Sequence, residues 1–125
     1  QRQMCIRDRA ELLRSQDRRA DAVKLYKELA SDVRTKEGSA AAYYVLEDVF
    51  AGGDMDKAEK AIFAYSEREP QAYWLAKAFI LLGDVYVRKG DNFQARATYQ
   101  SVADGYSPAD DGIVDEAKAR IAKLN

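Results

Sequence analysis

One phrase is written twice along this chain, and a fainter copy precedes both. Leu82-Gly83-Asp84-Val85-Tyr86 runs on through Lys89-Gly90-Asp91 to Ala95-Arg96-Ala97-Thr98-Tyr99. Val45-Leu46-Glu47-Asp48-Val49 runs on through Gly52-Gly53-Asp54 to Ala58-Glu59-Lys60-Ala61-Ile62. In both, an apolar stretch meets a Gly-Asp turn, and a second stretch opens on a small alanine. Aligning Ala22, Ala58 and Ala95 gives steps of 36 and 37 residues. Tyr26, Ile62 and Tyr99 stand four residues after each alanine, and Leu13, Val49 and Tyr86 nine before. A unit recurring at such a period cannot bury its apolar face alone, so neighbouring units stack. That constrains the chain toward surfaces rather than reactive groups.

The units read as helices. Ala, Leu, Lys, Glu and Arg dominate, and apolar residues recur at three- and four-residue steps. The periodicity predicts helices over 10–16, 19–35, 40–51, 55–68, 72–89, 92–104 and 113–124. Ser39, Asp54 and Asp91 read as N-caps, and Gly52-Gly53 and Gly90 as helix stops. Pro70 reads as a first-turn proline, and Ser107-Pro108-Ala109-Asp110 resembles a capping box. Seven helices with short loops predict an all-α fold of antiparallel neighbours. Tyr26, Tyr86 and Tyr99 fall at packing positions, and Trp74 is expected against Tyr44 or Ile62.

Composition narrows function by exclusion. With 125 residues, 47% of them hydrophobic, the chain can bury a core as one compact domain or as a few repeats of a longer array. Lys+Arg is 20 against Asp+Glu 21, which gives no electrostatic case for nucleic acid. Cys5 is the single cysteine and histidine is absent. No intramolecular disulfide, Cys/His zinc site or histidine base can be built. The longest apolar stretch, 72–87, is broken by Lys77 and Asp84, so it does not read as a membrane span. Glu47-Asp48, Asp110-Asp111 and Asp115-Glu116 are adjacent carboxylates. Side chains one residue apart on a helix diverge by about 100°, so they do not converge on one substrate atom. Gly52-Gly53 and Gly90 lack the Gly-Lys-Ser/Thr ending of a phosphate loop. The reading is therefore of a protein that is not an enzyme and that needs neither cofactor nor metal.

The beginning of the chain reads differently. Residues 3–9, Gln-Met-Cys-Ile-Arg-Asp-Arg, are similar to a reading frame through the transposon end used in preparing DNA libraries. The expectation is that 1–9 is a non-native segment and that the natural protein extends further upstream.

The repeats resemble the tetratricopeptide repeat family, whose unit is about 34 residues with the pattern W-x₂-L-G-x₂-Y, a small Ala and an aromatic. Phe79, Leu82-Gly83, Tyr86, Ala95 and Tyr99 stand at those positions in the best-matching unit, with Pro108 near the expected proline. Ala42, Val45, Leu46, Val49, Ala58, Ile62 and Pro70 stand there in the unit before, and Ala10, Leu13, Ala22 and Tyr26 in the first. The resemblance implies an α-solenoid of repeats near 10–36, 39–70 and 73–107, with a capping helix near 109–124. It also implies a bacterial fragment of a longer repeat protein.

Carried over position by position, the family's concave groove falls on Ala40, Tyr43, Glu47, Phe50 and Ala51, then on Lys77, Ile80, Asp84, Val87 and Arg88. The expected partner-binding residues are Tyr43, Glu47, Phe50, Lys77, Ile80, Asp84, Val87 and Arg88. Glu47 and Asp84 replace the basic clamp of members that hold acidic C-termini. A protein or peptide partner with an apolar face and a basic group is the expected ligand. The competing reading is a structural C-terminal cap of a longer array with no binding role. Exposure of Tyr43, Phe50 and Ile80 would favour the groove, and their burial the cap.

Overall fold

A computed structural model describes Lys27, residues 34–106 and residues 111–124. The expected segment 1–9, the helix at 10–16, nearly all of the helix at 19–35 and the capping box at 107–110 lie outside the described residues. Those residues form five α-helices and no strand. These are α1 (Lys36–Ala51), α2 (Met55–Glu67), α3 (Ala72–Arg88), α4 (Asn92–Gly105) and α5 (Ile113–Lys123). Four of the five start at the residue the sequence predicts. None of the helices described is long and apolar enough to cross a membrane.

The helix ends follow local chemistry. Asp54 accepts the Lys57 N–H at 3.1 Å and Asp91 the Gln94 N–H at 3.0 Å. Each satisfies an N–H with no partner inside its helix. α3 stops in a Schellman arrangement. The Asp91 N–H reaches Tyr86 O at 2.9 Å and the Gly90 N–H reaches Val87 O at 3.0 Å. That turn requires the left-handed backbone of Gly90, at φ 80°, which glycine adopts without a Cβ penalty.

Two expected boundaries are corrected. Ser39 does not cap α1. Thr35 does, accepting the Gly38 N–H at 2.9 Å, so the helix begins four residues earlier than predicted. Ser39 lies buried inside it, where its hydroxyl accepts the Gln71 N–H at 2.9 Å and its carbonyl the Tyr65 hydroxyl at 2.8 Å. The serine that looks like a cap is satisfied by the start of α3 and the flank of α2. Pro70 is likewise not in the first turn of α3. It is buried just before Gln71, the N-cap residue.

The linkers 52–54, 68–71 and 89–91 are too short to carry the chain away, so consecutive helices fold back on each other. α3 is the centre, in contact with all four other helices. Contacts join α1 to α2 and α3, α2 to α3, α3 to α4 and α5, and α4 to α5. The core they share runs through Leu46, Ile62, Leu82, Val85, Tyr99 and Ile113. Gly83 and Tyr99 meet closely within it. A Cβ on Gly83 would stand 2.2 Å from Cε1 of Tyr99, so the missing side chain is what lets α4 lie against α3.

Candidate protein-binding groove

α1, α3 and α5 place one face each along a shared surface. A depression of about 370 Å³ is lined by Tyr43, Glu47, Phe50, Ala51, Lys77, Ile80, Leu81, Asp84, Glu116 and Arg120. A neighbouring one of about 290 Å³ is lined by Phe50, Asp84, Val87, Arg88, Tyr99, Arg120, Lys123 and Leu124. All eight residues expected to bind a partner line one or the other. Helical spacing explains the convergence: Tyr43, Glu47 and Phe50 step by four and three along α1, Lys77, Ile80 and Asp84 by three and four along α3, and Val87 and Arg88 stand three and four beyond Asp84. Another depression, about 360 Å³, lies between α1 and α2 beside Lys27 and carries none of these residues.

The side chains divide unevenly between wall and lip. Tyr43 and Ile80 are 6% and 3% exposed, so neither is a free-standing anchor. Tyr43 sits in an aromatic cluster, its ring centroid 5.6 Å from Trp74 and 5.8 Å from Tyr44. Trp74 packs edge-on against Tyr44 at 5.8 Å, as the sequence predicts. The Lys77 ammonium stands 5.6 Å from the Tyr43 ring centroid and 5.9 Å from that of Tyr73. Its charge is therefore held partly against aromatic faces. Phe50 is half-buried beneath the Arg88 guanidinium, 4.8 Å from the ring centroid, and Val87 is 40% exposed.

Electrostatically the larger depression is acidic. Burial raises the Tyr43 phenol well above the ordinary tyrosine range, and the carboxylates of Glu47, Glu116 and Asp84 push it the same way. Asp84 is not an open acceptor. The Arg120 Nη1 stands 2.8 Å from each of its oxygens, and the Tyr99 hydroxyl donates to it as well. The Arg120 Nη2 reaches Glu116 at 3.1 Å, one turn back on α5. Burial and the hydrogen bond to Asp84 raise the Tyr99 phenol above its ordinary range.

The sequence reading missed Glu116 and Arg120, although a signal for the position of Arg120 existed. Glu47 and Asp84 stand 37 residues apart, and a further step of 36 lands on Arg120. α5 thus continues the register of α1 and α3. No protein-family model, curated protein or solved structure matches this chain.

Proposed function

We propose that this chain is a tetratricopeptide-like stack of helix pairs that serves as a protein-interaction scaffold. It takes a peptide or protein segment along the face shared by α1, α3 and α5. The observation that carries the reading is the convergence of eight separately named residues onto two adjoining depressions. The pairing of each helix with its neighbours, and of α1 with α3 and α3 with α5, fits a solenoid. Phe50 and Val87 supply the apolar contact, with Tyr43 and Ile80 as the floor beneath. Glu47 and the acidic surroundings of Asp84 favour a partner with a basic group. No catalytic step or nucleic-acid ligand is part of this reading.

One observation favours a second reading, a structural cap. Tyr43 and Ile80 are buried, and α5 turns Asp115, Lys118, Ala119, Ala122 and Lys123 outward, a mostly polar face suited to ending a stack. Selection of a displayed random-peptide library against the protein separates the two. The scaffold yields peptides whose binding falls by about 2 kcal/mol in Phe50→Ala, the scale of an interface hot spot, and is unchanged in Lys118→Ala. If Phe50→Ala binds like wild type while Lys118→Ala does not, the recognition surface is the terminal helix instead. A library that yields no binder favours the cap.

A further inference from the structure

The groove is lined on one side by α5, and α5 inserts a cation into it. Three carboxylates, Glu47, Asp84 and Glu116, and two cations, Lys77 and Arg120, line the larger depression. Arg120 is the cation that engages the carboxylates at ion-pair distance, 2.8 Å from Asp84 and 3.1 Å from Glu116. Lys77 lies against the rings of Tyr43 and Tyr73 instead. Among the described lining residues, taking Arg120 away leaves Lys77 as the cation beside Glu47, Asp84 and Glu116, in a hollow floored by Tyr43, Ile80 and Leu81.

We propose that Arg120 is a built-in competitor: it holds the acidic position at Asp84 that a partner's arginine side chain would take, and it must swing away before that side chain can seat. The proposal rests on the groove reading above. Three observations support it. Arg120 falls one repeat step after Asp84, which itself falls one step after Glu47, so the chain sets its own cation in the row where the preceding units present acids. The Arg120 side chain is 31% exposed, so it can rotate into solvent without crossing the core. The helix that carries it is anchored by other residues, since Ile113, Val114 and Ala117 are buried. Release of the guanidinium therefore does not require α5 to unfold.

The consequence is quantitative. A ligand that binds only the released form has its apparent affinity reduced by the fraction of molecules in which Arg120 is away. N-acetyl-arginine amide is a defined probe, and N-acetyl-citrulline amide is its uncharged isostere. Each is titrated into ¹⁵N-labelled wild-type protein and into Arg120→Met, which keeps the apolar stem and loses the charge. Half-saturation of the shifts at Asp84 and its neighbours is expected at about tenfold lower arginine probe in the variant, if Arg120 is latched about nine-tenths of the time. The citrulline probe is expected to shift nothing in either protein. Arg120→Lys, which keeps the charge and loses the planar fork, folds under the same constraints and is expected to fall between the two. Equal or weaker probe binding in both variants would overturn the proposal, as would equal shifts with the citrulline probe. A failure of the groove reading shows itself differently: library-selected peptides would then shift residues away from α1 and α3 whatever stands at position 120.

Discussion

Tyr99 joins the packing of α3 against α4 to the chemistry around Asp84. Its ring occupies the space a Gly83 side chain would need, and its hydroxyl donates to Asp84. Gly83→Ala therefore has to push the ring or the helix. We expect a loss of about 1–3 kcal/mol by urea denaturation, the usual cost of overpacking a close contact. Gly105→Ala, where nothing stands within 4 Å of the added carbon, is the control and should change little. Amide shifts at Asp84 should accompany the loss in Gly83→Ala, because the displaced ring carries the hydroxyl with it. Equal effects of the two alanines would mean that Gly83 is not a packing constraint.

Helix by helix, α5 is where burial and exposure part most cleanly. Ile113 and Ala117 lie in the shared core, Val114 is buried beside them in sequence, and the exposed face is mostly charged. Ending the chain after Tyr106 strips that cover from Tyr99 and from the Asp84 carboxylate. Burying a large aliphatic side chain is worth about 1.5–3 kcal/mol, so the truncated protein should unfold at markedly lower urea. It should also associate with rising concentration on a sizing column. A truncated chain as stable and as monodisperse as the parent would show that α5 is an accessory.

Helix starts were legible wherever the signal was local. Asp54, Asp91 and the apolar steps behind them place α2 and α4 to the residue. Ser39 misled because its hydroxyl answers to Gln71, 32 positions away, and no local pattern distinguishes that serine from a cap. The residues that line the two depressions were named from the family resemblance, carried over position by position. The burial of Tyr43 was not legible, since Trp74 lies on another helix, and neither was Arg120 on Asp84, 36 residues apart.

Across the molecule, Tyr43, Tyr65, Tyr86 and Tyr99 among the described residues share one perturbation. Burial is the leading cause that raises the phenols of Tyr43, Tyr65, Tyr86 and Tyr99, that of Tyr86 to about 12 from an ordinary 10.0. A group whose folded pKa is raised favours the folded state below its unfolded pKa, and that preference is lost as pH climbs through the folded value. Stability should therefore hold up to about pH 10 and fall steeply above it, with Tyr86 completing its loss near about 12. Urea midpoints between about pH 8 and about pH 11.5, with phenolate absorbance followed in parallel, measure it. A midpoint that does not move above about pH 10 would contradict the burial of these hydroxyls.

Among the described helices, none touches another more than two places along the chain. A polymer connected that way has no long loop to close before contacts begin to form, so it should fold quickly from more than one starting point. Strained from its two ends, it should yield in helix-sized steps, with the central α3 the last to let go.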